Sequence, residues 1–317
     1  MASGFLKMVR MKSWIQASRL RTLPLATACV MVGGGVSFRL ASAQPLTAQR
    51  FGIVFASILM TVIFLQVLSN WANDWGDYEN GADDASRTDR AVASGRISPE
   101  SMKRAVKRLS ALALASGVSA IALALWGTDL ISAAWGVLVL GLLAIVAAFR
   151  YTAGANPYGY RGYGDVMVLV FFGWIGVGGT GFLLSHDWDW SWVLPATWCG
   201  ALSTAVLNLN NMRDHVSDER TGKRTLVVQM GWRNAKVYHT ACFFVGWICW
   251  WIFALYVEAG LWRGLGWIAL INAVHAAHVV RVWGTEEPQA LDGELKKVAL
   301  STAVAALFIL LAQTGAA

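Results

Sequence analysis

Charge is in short supply in this chain of 317 residues. It has 26 Lys and Arg and 19 Asp and Glu, 14% in all, where soluble domains carry about 25%. That excludes a disordered chain, a coiled coil and an ordinary soluble enzyme. Proline is scarce at 6 residues, and the 31 glycines follow no period, which excludes collagen-like and low-complexity sequence. Cysteine is limited to Cys29, Cys199, Cys242 and Cys249, each in an apolar stretch and none in CxxC spacing. These read as small buried residues rather than as a disulfide or metal site. No repeat of solenoid period is visible. What remains is apolar. Hydrophobic residues make up 56% of the chain and its mean hydropathy is +0.49. Its 17 tryptophans belong to the residue type that gathers where membrane meets water. The composition is that of an integral membrane protein.

A bilayer core about 30 Å thick needs ~20 apolar residues per helix. Uncharged stretches of that order run over 22–38, 51–72, 109–128, 130–149, 166–185, 190–212, 237–257, 264–280 and 298–317. They are continuous, which excludes a β-barrel. The expected fold is therefore all-α: a polytopic bundle of nine transmembrane helices in one domain, 1–317. The basic leader, the first apolar run and Ala41-Ser42-Ala43 resemble a signal peptide. The run is longer than the usual signal core, so we read it as a retained helix. With nine spans, 23 of the 26 cations fall on one side, leaving Arg39, Arg50 and Arg263 opposite. That places the N-terminus in the cytoplasm, with a multi-pass location in the cytoplasmic (inner) membrane. The short outer loops carry no chemistry, and Trp188, Trp190 and Trp192 fit an interfacial belt.

The cytoplasmic ends of helices 2 and 6 carry acids that a membrane bundle does not need. The first reads Asn73-Asp74-Trp75-Gly76-Asp77, followed by Asp83 and Asp84; the second reads Asn210-Asn211-Met212-Arg213-Asp214, followed by Asp218. Asn73 and Asp77 are spaced i, i+4, as are Asn210, Asp214 and Asp218. Such spacing gathers side chains on one stripe of a helix. Buried carboxylates are costly unless paired or bound to a cation. Hard oxygen ligands suit Mg²⁺, which completes its shell with water and substrate phosphate. Lys and Arg in the same connections are fitted to the remaining phosphate oxygens. The pattern points to a diphosphate held with Mg²⁺ between two acidic motifs. The matching helix ends also hint at an internal repeat, helices 1–4 against 5–8.

These residues resemble the aspartate-rich motifs of the UbiA superfamily of intramembrane prenyltransferases: NDxxD at Asn73–Asp77 and DxxxD at Asp214–Asp218. The 1,4-dihydroxy-2-naphthoate branch is the most similar. Arg21-Thr22-Leu23-Pro24, Asn156-Pro157-Tyr158-Gly159-Tyr160, Asn208-Leu209-Asn210-Asn211 and Gly222-Lys223-Arg224-Thr225 also carry the likeness, which extends from about residue 13 to the end. It implies a nine-helix bundle and Mg²⁺-dependent transfer of a polyprenyl group from polyprenyl diphosphate to an aromatic ring. In the naphthoate branch the ring is 1,4-dihydroxy-2-naphthoate. CO₂ and diphosphate are lost and demethylmenaquinol is formed, a step of menaquinone biosynthesis. Asn73, Asp77, Asp214 and Asp218 resemble the metal–diphosphate residues, and Lys223 a diphosphate-contacting lysine. Many relatives have a third acid where this chain has Gly81; Asp83 or Asp84 is the candidate replacement. The connections 73–103 and 213–236 would form caps carrying the two motifs.

Other candidates follow from that chemistry. Arg90 and Arg224 are placed with Lys223 on the diphosphate, and Asn210 and Asn211 are counted among the substrate-binding residues. Tyr151, Tyr160 and Trp75 are candidate walls for an allylic cation, each also able to serve as packing. Arg150 is open between the naphthoate carboxylate and a lipid phosphate. Asp165 suits the start of helix 5. His275 and His278 read as buried hydrogen-bonding groups, and His215 as a loop residue. Gly173, Gly176, Gly178, Gly179 and Gly181 either pack helix 5 closely or line a prenyl groove. The expected partners are the two substrates and the lipid bilayer, with no nucleic acid and no oligomeric state implied. The competing readings are prenyl transfer to another acceptor, such as 4-hydroxybenzoate, and a membrane transporter. A transporter would need its polar groups near mid-membrane.

Overall fold

The computed structural model describes residues 11–40, 45–83, 87–257 and 262–313. Ala41-Ser42-Ala43 and Asp84 lie outside them. Every regular element among the described residues is helical. The long helices are α1 Met11–Phe38, α2 Ala48–Glu79, α3 Pro99–Leu125, α4 Ile131–Arg150, α5 Gly164–Ser185, α6 Trp190–Arg220, α7 Trp232–Leu255, α8 Trp262–Gly284 and α9 Pro288–Ala312. All but α8 are long and apolar enough to cross a membrane, which makes eight crossing helices among the described residues. α8 is a further helix of 23 residues at the place of the eighth expected span. The chain is a multi-pass membrane protein.

Local chemistry sets the helix ends. Ser98 caps α3 through its side chain, with Pro99 at the first helical position. At the other end of α3, Arg50 donates to the carbonyls of Leu123 at 2.8 Å and Trp126 at 2.9 Å. A cation there satisfies carbonyls that have no partner within the helix. Arg50 thus has a structural role at the end of α3 away from the two aspartate motifs.

α1 and α6 are the most buried long helices and form the centre. α1 packs against α9, α5 and α2, while α6 packs against α7, α5 and α9. α2 packs against α3 and α4. The expected choice for the α5 glycines divides by position. A Cβ on Gly173 would lie 2.6 Å from the carbonyl oxygen of Ala196, and one on Gly181 would lie 2.7 Å from the Trp192 ring. Gly176 and Gly178 are similarly tight, against Phe171 with Cys29 and against Trp188. These four allow close helix packing. Gly179 instead faces open space; it lines the central cavity, which Gly176 also borders. α5 runs as a π-helix over Leu169–Ile175, a wide turn often found beside functional sites; Phe171, Phe172 and Ile175 from it line the cavity.

Three cysteines are buried and Cys249 is half-buried; none is disulfide-bonded. His215 stacks on Trp232 at 5.1 Å, and its Nδ1 lies 2.8 Å from the carbonyl of Met212. It is packed on α6, not placed in a loop.

Candidate active site

The two motifs are helical. α2 continues through Asp77 to Glu79, and α6 continues through Asp218 to Arg220. Residues 73–79 and 99–103 are therefore helix, with the true connection between them; residues 213–220 are helix as well. Continuous helix fixes the i, i+4 stripes rigidly.

Asp74 and Asp77, three residues apart, have different tasks. Asp74 accepts the backbone N–H groups of Ala91 at 3.0 Å and Val92 at 3.4 Å. This folds the 87–97 segment back onto α2. Arg90 is thereby placed 3.6 Å from Asp77 and 3.1 Å from Asp83. Asp77 is 1% exposed. Its Oδ1 accepts a 2.8 Å hydrogen bond from the Tyr160 hydroxyl, and Lys223 Nζ approaches it at 3.3 Å.

The second motif supplies the opposite wall. Lys223 follows Gly222, whose φ of +75° suits glycine as α6 ends. The Lys223 N–H donates to the carbonyl of Asp218, and its Nζ lies 3.9 Å from Asp218 Oδ1. Asp214 is gripped by both nitrogens of Arg213 at 2.8 and 2.9 Å, with Arg87 at 3.7 Å. Arg213 also reaches Asp292, which pairs with Arg21, each at 2.6 Å. The second motif is thus tied to α1 and α9.

Electrostatics keep this cluster ionised where it matters. Burial works against the Lys223 ammonium, but Asp77, Asp218, Asp83 and Asp214 outweigh it and raise its pKa above the usual value. Burial followed by Asp77 pushes Asp83 up to about 7, against the pull of Arg87. Burial and then Asp77 also raise Tyr160, so it remains a neutral donor.

Above the motifs lies a cavity of about 330 Å³. Its polar end is lined by Asn73, Asp77, Arg90, Asn210, Asn211 and Lys223. Its apolar depth is lined by side chains such as Ile58, Val62, Val137, Leu140, Phe172 and Leu183. Tyr151 also lines it, with Tyr158 edge-on at 5.5 Å. Asp83, Asp218 and Tyr160 stand immediately behind, touching Arg90, Lys223 and Asp77 in turn, while Asp214 is held on Arg213 and Arg87. The Tyr160 ring faces the Lys223 ammonium at 5.3 Å, so the residue acts through its hydroxyl on Asp77. Three expected residues are not brought here. Arg150 is exposed and folds toward Gly154, and Arg224 is exposed, with its backbone N–H on the Tyr160 carbonyl. Trp75 packs on Phe149 at 5.8 Å, with the Lys103 ammonium 5.4 Å from its ring.

The residue that sequence reasoning missed is Arg19. Its backbone is left-handed at φ 44°, a conformation costly for a residue with a side chain. Asn70 holds that bend by donating to the Ser18 carbonyl at 2.9 Å, and with Gln66 it also donates to Thr22 Oγ1. Arg19 lines the cavity, and its Nη2 is buried with no hydrogen-bond partner. An unsatisfied buried guanidinium nitrogen marks a place for an anion. The only sequence signal was the Arg-Leu-Arg run before Pro24.

Among the described residues no three acidic, histidine or cysteine side chains converge as a ready-made metal cage. Asp77 and Asp218 instead flank Lys223, with Asn73 on the same α2 stripe. Such a set fits Mg²⁺, which takes one or two carboxylates and completes its shell with water and phosphate.

The sequence profile of the UbiA prenyltransferase family matches residues 25–293. The chain belongs to this family. Among its relatives is a 1,4-dihydroxy-2-naphthoate octaprenyltransferase of Escherichia coli K12, 42% identical over 267 residues, covering 83% of this chain and 82% of that one. The protein of the same description in Haemophilus influenzae is 38% identical over 294 residues, 92% of each chain. The fold matches a solved UbiA homologue from Archaeoglobus fulgidus with a TM-score of 0.62 at 14% identity, over 94% of this chain and 98% of that one. The same homologue, solved with DMAPP and Mg²⁺, matches with a TM-score of 0.58 at 15% identity, over 91% and 98%. Family membership makes the protein a prenyltransferase.

Proposed function

We propose that the protein transfers a polyprenyl group from polyprenyl diphosphate to 1,4-dihydroxy-2-naphthoate, giving demethylmenaquinol, CO₂ and diphosphate. The observation that carries the reaction type is one cavity with an apolar depth and a polar end built on Asp77, Lys223 and Arg90. The acceptor follows from relatives of that description, aligned over most of both chains.

Asn73, Asp77, Asp83 and Asp218 are the residues that would hold Mg²⁺, with Asp214 fixing Arg87 and Arg213 beside them. Bound there, Mg²⁺ supplies Lewis-acid neutralisation of the diphosphate. Lys223 and Arg90 bind diphosphate oxygens and stabilise charge as it gathers on the leaving group. The allylic C–O bond breaks with its electron pair leaving on diphosphate. Tyr151 offers a ring wall to the cation, worth about 0.5–2 kcal/mol. The naphthoate ring carbon bearing the carboxylate bonds to the allylic carbon. The bond to CO₂ then breaks and its pair restores the aromatic ring, so no general base is needed. Arg19 supplies the free cation for the acceptor's carboxylate, the role left open for Arg150. The polar end faces the cytoplasm in this reading, in the inner membrane of the cell.

Purified protein given Mg²⁺, a prenyl diphosphate and 1,4-dihydroxy-2-naphthoate should release CO₂ and form the prenylated naphthoquinol. Turnover with 4-hydroxybenzoate but none with the naphthoate would overturn the acceptor.

A further inference from the structure

Away from the aspartate motifs, α8 and α9 enclose a second cavity of about 180 Å³. It lies on the other side of α9 from the prenyl cavity: Leu295 lines the first, whereas Glu294, Lys297 and Ser301 line the second. It is on the same membrane side as the motifs. Lys236 donates to the carbonyls of Trp283 and Thr285 at the end of α8, and Arg213 pairs with Asp292 near the start of α9.

Buried polar side chains stand in the wall of this cavity. His275 and His278 line it and are 0% and 4% exposed. His278 uses both ring nitrogens, one on Glu294 at 2.7 Å and one on His239 at 2.9 Å. His275 Nε2 meets Ser301 Oγ at 2.9 Å, while its Nδ1 is buried with no hydrogen-bond partner. A buried polar atom left unsatisfied is costly, so the free nitrogen points to a missing ligand. Since His278 has no free nitrogen and no three ligands converge among the described residues, a metal is not that ligand.

Two cations stand at the mouth. Arg281 and Lys297 both reach Glu294, the first at 3.6 Å. Their side chains remain 61% and 52% exposed. One carboxylate against two cations leaves net positive charge, and the loose Arg281 pair leaves guanidinium donors for a second anion. The flanking surface is apolar and uncovered, with Val274, Val280, Leu300 and Val304 exposed. In a membrane protein such a surface meets acyl chains. Basic pockets between helices at the membrane interface suit phospholipid headgroups.

We propose that this pocket holds an anionic glycerophospholipid of the adjoining leaflet. Its phosphate lies on Arg281 and Lys297, a headgroup or glycerol hydroxyl meets His275 Nδ1, and its chains run along the exposed valines and leucines. Neither cation lines the prenyl cavity, so the site is separable from prenyl transfer.

The test is thermal unfolding of the purified full chain in detergent with added phosphatidylglycerol, phosphatidylcholine or inorganic phosphate. Phosphatidylglycerol should raise Tm by roughly 2–4 °C, the shift of about 1 kcal/mol in a chain of this order. Phosphatidylcholine and inorganic phosphate should not. R281Q with K297Q should abolish the shift while keeping the lipid-free Tm and prenyl transfer. H275F should weaken it, and R281Q alone, at an exposed position, serves if H275F fails to fold. Equal shifts with phosphatidylcholine, an equal shift with inorganic phosphate, or an undiminished shift in the double variant would each overturn the proposal.

Discussion

The Tyr160 hydroxyl donates a 2.8 Å hydrogen bond to Asp77 Oδ1, joining the loop after α4 to the last turn of α2. Lys223 lies across the same ring and within 3.3 Å of the same carboxylate. Tyr160 therefore fixes the orientation of the carboxylate at the centre of the site. Tyr160→Phe removes a hydrogen bond to a charged group, worth about 1.5–3 kcal/mol. Steady-state kinetics should show about a 10–100-fold loss in kcat/KM for the prenyl diphosphate, with a raised Mg²⁺ requirement. Unchanged Mg²⁺ dependence would show that the hydroxyl does not orient Asp77.

Asp74 stands inside the first motif yet points away from the cavity, onto the N–H groups of Ala91 and Val92. Asp74→Ala leaves two buried donors unsatisfied, at a cost of about 1–3 kcal/mol each. It should lower Tm and loosen the 87–97 segment in hydrogen exchange. Asp77→Ala, by contrast, should abolish turnover and leave that segment protected. Equal protection in both variants would show that Asp74 does not pin the loop.

How far this arrangement could be read from sequence differs residue by residue. The spans were legible because a bilayer demands continuous apolar runs. α1 nevertheless starts well before residue 22: its first turns carry Lys12, Arg19 and Arg21, and a search for uncharged stretches passes over them. Asp77, Asp218 and Lys223 were legible because helical spacing and a glycine-capped helix end are local. Arg19 was not, because its left-handed bend is imposed by Asn70 and Gln66 from another helix. Arg150 and Arg224 have the right charge on the right side but point elsewhere, a matter of loop geometry that no charge count contains.

Asp83 gives the metal-free protein a pH dependence. Burial and Asp77 push its pKa up to about 7, whereas an unfolded chain has about 3.9. The fold thus prefers the protonated form. Stability from this group is present below about pH 4 and is lost as pH rises toward 7. Without Mg²⁺, Tm should fall between about pH 4 and 7, and Asp83→Asn should flatten that slope while weakening Mg²⁺ dependence of turnover. An identical slope in the variant would remove Asp83 as its source.

Arg19 and Arg90 both bring buried guanidinium nitrogens without a hydrogen-bond partner to the cavity, but Arg90 and Lys223 are also ion-paired with Asp77. Arg19→Gln should raise KM for the naphthoate about tenfold or more, the loss of a charge-assisted contact of ~1.5–3 kcal/mol. KM for the prenyl diphosphate should move much less. A larger change in the donor KM would place Arg19 on the diphosphate instead.

Gly179 and Gly173 share α5 but face different neighbours. A side chain at Gly179 would enter the apolar depth, where a new Cβ meets no atom within 4 Å. One at Gly173 would collide with α6 at the Ala196 carbonyl. Gly179→Leu should therefore fold normally and shorten the space for the prenyl tail. With geranyl diphosphate its kcat/KM should stay within a few-fold of the parent, while with an octaprenyl donor it should fall at least tenfold. Gly173→Leu should lower Tm and depress turnover with both donors alike, since overpacking costs about 1–3 kcal/mol or more. If Gly179→Leu treated both donors equally, the tail would have to run along another wall of the cavity.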